Sequence, residues 1–346
     1  MPGVVVWRER VSIAMSDAVL AVVFVAGALV SLGSSWVLVS SLERIGARLG
    51  LSEGLLGMLA ALAADAPEIT AAVTALASNQ SRIGAGVVMG SNVFNLAALL
   101  GLPALIAGRI ALHRRVIVLE GVVALWVAAG CVAVVAGALS AVVGLVLVLA
   151  VLAPYVVVLG VRHDLLGRIG LPATWVSWLE SAIVEEELEL ALHPRRGRAR
   201  DWIVAVLATV VVVGASIAME QSASTLGTRH GIPEIAVGAL VLAAVTSLPN
   251  AVAAVYLAAR GRGTATLSIA TNSNAINVVA GLLVPAIVVG LGAPSGQTML
   301  VAVWYLGLTA FVLAGAYIRS GLGRGYGALI ICAYLAFASV VVASTH

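Results

Sequence analysis

Residues 59–78 read LAALAADAPEITAAVTALAS, an apolar run that two carboxylates and a proline interrupt near its centre. Asp65 and Glu68 lie three residues apart, so on a helix both side chains project from the same face. Pro67 has no amide hydrogen, which leaves the carbonyl of Ala63 without its helical partner. The stretch therefore predicts a broken helix that presents two carboxylates and a carbonyl oxygen in apolar surroundings.

The whole chain has the composition of a membrane protein. Of its 346 residues, 62% are hydrophobic and 10% are charged, and the mean hydropathy is +1.12. A soluble domain carries about 25% charged residues and needs them to cover its surface. The basic residues are scattered through short loops, which does not favour a nucleic-acid partner. The composition therefore predicts a polytopic membrane protein whose solvent is the lipid bilayer.

Ten apolar stretches are each long enough to cross a hydrocarbon core of about 30 Å. Their approximate ranges are 16–41, 52–78, 83–107, 116–137, 140–160, 202–225, 234–259, 264–291, 298–318 and 325–344. The predicted fold class is therefore all-α with ten transmembrane helices. Residues 161–201 form the sizeable hydrophilic segment, either an amphipathic interfacial helix with a basic anchor or a solvated linker of mixed charge.

The arginines predict the orientation of the chain in the membrane. All 19 basic residues are Arg; with ten spans, 15 of them fall in the odd-numbered loops and four on the opposite side. Loops rich in Arg stay in the cytoplasm. This asymmetry predicts a cell-membrane protein with both termini outside and the 161–201 loop in the cytoplasm.

The two halves of the chain resemble each other. Residues 67–103 align without gaps to 249–285 at an offset of 182 residues. The polar and proline matches are Pro67/Pro249, Ser91/Ser273, Asn92/Asn274, Asn95/Asn277 and Pro103/Pro285. The halves are a first five-helix repeat at 1–160, the linker at 161–201 and a second repeat at 202–346. Because five is odd, the second copy enters the membrane inverted, an arrangement typical of secondary transporters that bind substrate near the midplane.

The two carboxylates at the centre of the second span need a compensating partner. A charged side chain there costs about 2.5 kcal/mol or more, and the five His residues all lie near span ends. Oxygen-bearing side chains surround the two proline breaks: Ser91, Asn95, Thr246, Ser247, Asn250, Ser273 and Asn277. With Asp65 and Glu68 they form a set without thiolate or imidazole, which suits Ca²⁺, Na⁺ or Mg²⁺ better than Zn²⁺ or copper. Any single Ser, Thr or Asn of the set has the alternative role of bonding its own helix or a neighbouring one.

Two further acidic residues and a group of glycines have simpler interpretations. Glu120 and Glu220 lie nearer to span ends and are interpreted as interfacial, since snorkelling costs little there. The small-residue spacing at Gly84, Gly86 and Gly90 indicates close helix packing.

Two pairs of motifs resemble those of a known family. They are Ala64–Glu68 with Gly90–Asn95, and Thr246–Asn250 with Asn272–Asn277. Both pairs are similar to the two α-repeats of the cation/calcium antiporter superfamily, the sodium/calcium exchanger branch above all. The resemblance is specific over about 50–103 and 231–285, and the ten-span plan extends it to most of the chain.

The resemblance implies a set of cation ligands, at Glu68, Ser91, Asn95, Thr246, Ser247, Ser273 and Asn277. The second key glutamate of the family falls on Asn250, and its first-repeat Thr-Ser is replaced by Ala64–Asp65. One carboxylate is thus lost from the second repeat and another is gained in the first.

The predicted function is secondary-active antiport of Ca²⁺, or a similar divalent cation, against Na⁺ or H⁺ by alternating access. A single chain is sufficient for it, and no covalently bound cofactor is expected. The chain is not expected to be an enzyme, because it has no HExxH helix and one midplane aspartate, where an aspartate-based site needs two. A channel would carry its charges in a ring. The alternatives are an exchanger fold that moves monovalent or other divalent cations, or a non-transporting sensor or scramblase.

Overall fold

The computed structural model describes residues 15–49, 53–160 and 198–344, and nearly all of them are helical. The first half contains α1 (Asp17–Leu49), α2 (Glu53–Ala64), α3 (Ala66–Ala77), α4 (Ser81–Ala107), α5 (Arg114–Val135) and α6 (Ala141–Gly160). The second half contains α7 (Ala199–Arg229), α8 (Glu234–Thr246), α9 (Leu248–Ala259), α10 (Gly263–Val289), α11 (Gly296–Arg319) and α12 (Arg324–Ala343). The interfacial helix predicted within 161–201 lies outside the described residues.

Eight of the described helices are long and apolar enough to cross a membrane. The helices α8 and α9 meet at an angle of 49° and add a ninth span when they are counted as one. The helices α2 and α3 have 12 residues each, about 18 Å, so neither crosses the hydrocarbon core alone. The chain is a multi-pass membrane protein, and two of its ten predicted spans are each divided into two short helices.

Equivalent helices recur along the chain at a constant separation. Four helices of the first half begin 182 residues before their counterparts in the second: α1 before α7, α3 before α9, α4 before α10 and α5 before α11. The π-helical turns Leu96–Gly101 in α4 and Asn277–Leu283 in α10 fall at nearly the same place in each copy. The internal similarity of the sequence therefore extends to the boundaries of the helices.

The equivalent helices α1 and α7 run antiparallel along their lengths. Three polar pairs join them from one end to the other: Asp17 with Arg229 (2.6 Å), Ser31 with Ser216 (2.6 Å) and Arg44 with Asp201 (2.9 Å). The Asp17–Arg229 ion pair is partly exposed to solvent, so it contributes little to stability. The pairs report the relative direction of the two helices more than they stabilise the fold.

The helix α4 lies at the centre of the protein and α1 and α7 lie at its edge. The most apolar part of α4 is 94% buried, against 28% for each of α1 and α7. Small residues let α8 approach α4 closely. A methyl group on Gly90 would lie 2.4 Å from the Cα of Ala239, and one on Gly238 would lie 2.3 Å from the carbonyl oxygen of Ile83. The interpretation of the α4 glycines as packing residues is confirmed at this contact.

Substituting Gly90 with Ala is expected to destabilise the protein, because the added methyl group collides with backbone atoms of α8. Overpacking of this kind costs about 1–3 kcal/mol. The matched control is Gly33→Ala on α1, where the added methyl group meets nothing within 4 Å. Thermal unfolding in detergent should show a lower midpoint for Gly90→Ala and not for the control. Equal midpoints would contradict the close approach of α4 and α8.

A short strand pair departs from the all-α expectation. Strand β1 (Arg109–Ala111) pairs antiparallel with β2 (Gly321–Gly323), with Ile110 opposite Leu322. Gly321 has φ +137°, and a methyl group there would lie 2.2 Å from the carbonyl oxygen of Ile110. Three-residue strands have no readable hydrophobic alternation, so sequence periodicity does not reveal them.

Candidate cation-binding site

Two helix breaks carry the central residues of the predicted site. Asp65 lies between the end of α2 and the start of α3, and Ser247 lies between α8 and α9. Glu68 and Asn250 follow three residues later, in the first turn of α3 and α9 respectively. The side chains of Asp65 and Glu68 are fully buried, at 0% exposure. Both carboxylates therefore lie inside the protein and away from lipid.

The two breaks face each other and exchange hydrogen bonds. The hydroxyl of Ser247 donates to Oε1 of Glu68 at 2.5 Å, and the amide of Asn250 donates to Oδ1 of Asp65 at 2.7 Å. At the 182-residue offset, Asp65 is equivalent to Ser247 and Glu68 is equivalent to Asn250. The two bonds are therefore reciprocal contacts between equivalent residues of the two copies.

The asparagines of α4 and α10 repeat this symmetry. Asn92 donates its amide to the backbone carbonyl of Asn274 at 3.1 Å, and Asn274 donates to the carbonyl of Asn92 at 3.2 Å. Asn95 donates to Oδ1 of Asn274 at 3.0 Å, and its equivalent Asn277 donates to Oδ1 of Asn92 at 3.3 Å. Four equivalent amides thus join the two copies, two from each.

The hydroxyl groups of the other predicted site residues have different hydrogen-bond partners. Ser273 donates to Oδ1 of Asp65, so α10 also reaches the first break. Ser91 donates to the carbonyl of Val88 at 3.0 Å within its own helix, and the amide of Asn277 lies 3.5 Å from its oxygen. The hydroxyl of Thr246 bonds back to the carbonyl of Leu242 at 2.9 Å.

Four buried oxygens of this cluster have no hydrogen-bond partner among the described residues: Asp65 Oδ2, Glu68 Oε2, Asn95 Oδ1 and Asn277 Oδ1. An unsatisfied buried acceptor costs about 1–3 kcal/mol, and a charged one costs more. No Arg or His belongs to the described buried residues that could compensate the carboxylates. The described residues also contain no cluster of three or more His, Cys, Asp or Glu side chains placed to hold a metal ion together. The oxygens therefore fit a hard cation, or protons, better than a transition metal.

The carbonyl that Pro67 releases has a different partner from the one expected. The hydroxyl of Ser35 on α1 donates to the carbonyl of Ala63 at 2.8 Å. The hydroxyl oxygen of Ser35 also lies 3.4 Å from the carbonyl oxygen of Ala64. Because a side chain satisfies the Ala63 carbonyl, that oxygen needs no cation, and the bond ties α1 directly to the break.

The interfacial interpretation of Glu120 and Glu220 is wrong, because each side chain is only 1% exposed. Glu120 accepts hydrogen bonds from Ser268 and from Thr271, the latter at 2.9 Å, so the polar face of α10 replaces water. Glu220 is buried on α7, and its Oε1 has no hydrogen-bond partner in the part of the chain that the structure describes. Distance from a span end did not predict burial, since neighbouring helices cover both side chains.

Sequence reasoning left three residues out of the site environment. Asn92 and Asn274 matched at the 182-residue offset, and that match was the signal that pointed to their mutual contact. Ser35 had no such signal, because its equivalent position in α7 is Ile217.

Apolar spanning helices, two facing helix breaks and a buried oxygen cluster define a multi-pass membrane protein of the transporter class. Residues 19–162 and 201–343 match the family model described as sodium/calcium exchanger protein. The chain belongs to this family, within the cation/calcium antiporter superfamily, and its structural neighbours are ion exchangers, not enzymes.

Individual relatives are more distant. The chain is 29% identical over 153 residues to the sodium/potassium/calcium exchanger Nckx30C of Drosophila melanogaster. That match covers 42% of this chain and 17% of the fly protein, so the chain spans a small part of that relative.

Solved structures match over most of their length. The H⁺/Ca²⁺ exchanger CAX superposes with a TM-score of 0.70 at 12% identity, covering 94% of this chain and 86% of that one. The sodium-calcium exchanger NCX_Mj superposes with a TM-score of 0.57 at 19% identity, covering 92% and 97% respectively. At these identities the likeness concerns the fold.

Proposed function

We propose that the protein is a secondary-active antiporter that exchanges Ca²⁺, or a similar divalent cation, for Na⁺ or H⁺ by alternating access. The observation that carries the proposal is the group of four unpartnered oxygens, contributed by both copies of the repeat and including two carboxylates. Membership of the sodium/calcium exchanger family supports it. The names of the similar proteins include Ca²⁺ exchange against Na⁺ and against H⁺.

Competition for two negative charges explains how the fluxes are coupled. Asp65 and Glu68 together neutralise one divalent cation, or two monovalent cations or protons. Glu68 is the shared central ligand in this proposal, and Asp65 supplies the second charge. The amide oxygens of Asn95 and Asn277 complete the site from α4 and α10. A site emptied of all cations leaves both charges uncompensated, which disfavours a change of access without cargo.

The proposed architecture consists of ten spans in two inverted five-span repeats. The antiparallel direction of α1 and α7 supports inversion, and the recurring helix boundaries support the repeat. In this proposal α1 and α7 slide over the remaining helices to change access, since both are long and largely exposed to lipid. The bond from Ser35 to the first break then couples the position of α1 to the site.

The proposed orientation places both termini outside the cell membrane and the 161–201 loop in the cytoplasm. In a variant without the two native cysteines, we expect Arg196→Cys to react with an impermeant maleimide only from the cytoplasmic side. The matched control is Ala293→Cys, in the exposed turn between α10 and α11, which should react only from outside. The reason is the retention of Arg-rich loops in the cytoplasm. The opposite labelling pattern would invert the assignment.

Flux measured in proteoliposomes tests the proposed function. Ca²⁺, Mg²⁺, Mn²⁺, Na⁺ and K⁺ are offered in turn against an imposed Na⁺ or H⁺ gradient. Ca²⁺ uptake that depends on the counter-gradient is the expected result. Coupled flux of another cation indicates an exchanger with an altered site, and uncoupled flux indicates a channel. Cation binding without flux indicates a sensor, and lipid translocation without cation flux indicates a scramblase.

A further inference from the structure

An apolar groove runs between α1 and α9 on the outside of the protein, with a volume of about 670 Å³. Its lining includes Leu29, Gly33, Trp36 and Arg44 from α1, and Leu248 and Val252 from α9. The groove begins beside Ser247, the residue at the second helix break, and ends at Arg44. We refer to it as the α1–α9 groove.

The repeat contains an equivalent interface that is closed. At the 182-residue offset, α7 corresponds to α1 and α3 corresponds to α9. The helix α7 packs along α3, and Gln80, just after α3, donates to the hydroxyl of Ser224 on α7 at 2.7 Å. Among the described residues no such contact closes the groove, and Trp36 and Val252 are 64% and 60% exposed. The α1–α9 groove is therefore the open member of a pair of equivalent interfaces.

The dimensions and lining of the groove suit an acyl chain. Leu29 and Arg44 are 15 residues apart on one helix, about 22 Å, which exceeds the half-thickness of a hydrocarbon core, about 15 Å. The groove thus extends from the level of the helix breaks to the region of the headgroups. Apart from Ser40 and Arg44 its walls are Leu, Val, Trp and Gly. Such walls offer no ligands to a metal cation.

The basic end of the groove favours a negatively charged headgroup. Arg44 donates from Nε to Asp201 at 2.9 Å and from Nη2 to Ser41 at 3.3 Å. Within residues 15–49, 53–160 and 198–344 these are the contacts of Arg44, and they use two of the five N–H groups of a guanidinium, which leaves the others for a phosphate. Arg48 lies near the C-terminal end of α1, and Arg260 and Arg262 follow the C-terminal end of α9, so both helices end in basic residues. Asp201 and Glu43 offset part of this charge, and the arginines that remain attract anionic lipid and disfavour a cation.

We infer that the α1–α9 groove binds an anionic phospholipid, with one acyl chain between the two helices and the phosphate at Arg44. A chain in this position prevents α1 from closing onto α9 in the way that α7 lies on α3. Bound lipid therefore favours the state in which the groove is open. This consequence for transport rests on the proposed function, whereas lipid binding itself does not.

Quenching of tryptophan fluorescence by lipids brominated in the acyl chain tests the inference. Brominated phosphatidylglycerol and brominated phosphatidylcholine are titrated separately against the intact protein in nanodiscs. The signal of Trp36, taken as the difference between the parent and Trp36→Phe, should be half-quenched by the anionic lipid at about fivefold lower mole fraction. Trp126 on α5, 45% exposed, is the control tryptophan, and its signal should not distinguish the two lipids. Equal quenching of Trp36 by both lipids would overturn the inference.

Filling the groove provides a second test that leaves the fold intact. A side chain at Gly33 enters open space, so Gly33→Leu should fold and should abolish the preference for phosphatidylglycerol at Trp36. The matched control is Gly214→Leu on α7, where a side chain also meets nothing within 4 Å. This control should keep the preference for phosphatidylglycerol. If Gly33→Leu also kept it, the lipid would not lie in the groove.

The charge of Arg44 is tested separately. Arg44→Gln should equalise the two lipids and Arg44→Lys should keep most of the preference, with thermal unfolding used to confirm that both variants are folded. An unchanged preference in Arg44→Gln would place the headgroup elsewhere. Neither lipid readout requires cation flux, so a failure of the proposed function leaves these results interpretable, and flux with no lipid preference would reject the lipid inference alone.

Discussion

Replacing Glu68 with Gln is expected to abolish both transport and the stabilisation of the protein by cations. The substitution keeps the size of the side chain and its capacity to accept the hydroxyl proton of Ser247, and it removes only the charge. A ligand at 100 times its dissociation constant stabilises the folded state by about 2.7 kcal/mol. The variant should lose an effect of that size when Ca²⁺ is added. Thermal unfolding with and without Ca²⁺, and flux in proteoliposomes, measure the two losses.

The same substitution should raise stability in a cation-free buffer, because an uncompensated buried carboxylate is costly. The matched control is Glu234→Gln, which removes an exposed carboxylate from the first turn of α8. It should change neither transport nor the response to Ca²⁺. Normal transport by intact Glu68→Gln would place the site elsewhere.

Asp65→Ser is expected to abolish the binding of divalent cations, since one remaining carboxylate does not neutralise a double charge in a low-dielectric site. Asn250, where the family pattern has glutamate, donates to Oδ1 of Asp65 at 2.7 Å. In the proposed site, the second carboxylate therefore belongs to a residue that contacts Asn250. The double variant Asp65→Ser with Asn250→Glu removes the carboxylate from position 65 and places one at position 250. It should recover at least part of the divalent binding.

Asn250→Glu alone should make transport more dependent on pH, because three carboxylates in one buried cluster favour the protonated form of at least one. Calorimetry on the parent and the three variants measures cation binding, and flux at several pH values measures the dependence. Divalent binding that is unchanged in Asp65→Ser would contradict the idea that Asp65 supplies the second charge. That result would favour a site for monovalent cations, or coupling to protons through Glu68 alone.

The broad outline of the protein followed from features that are local in sequence. Ten apolar segments, their bounding Arg residues and the 182-residue offset between matching motifs were all readable along the chain. The two helix breaks were predictable because a proline removes a backbone bond wherever the helix runs. The candidate site residues could also be chosen along the chain, since polar side chains within apolar spans are few and costly.

Where each polar group found its partner depended on helices distant in sequence. Ser35 reaches the carbonyl of Ala63 only because α1 crosses the first break. Glu120 is buried only because the polar face of α10 packs against α5. No spacing within a single segment contains this information, since each contact joins residues from separate helices.

The sequence by itself determined that this is a membrane protein of repeated helices with two carboxylates inside. The tertiary structure alone decided that Asp65 lies against Asn250 and Glu68 against Ser247, and that the α1–α9 groove is open where its counterpart is closed. The physical reason is that the hydrophobicity of a segment, and the break that a proline makes in its helix, depend on the residues of that segment alone. Hydrogen bonds between helices and the gaps left between them depend on how all the helices pack together.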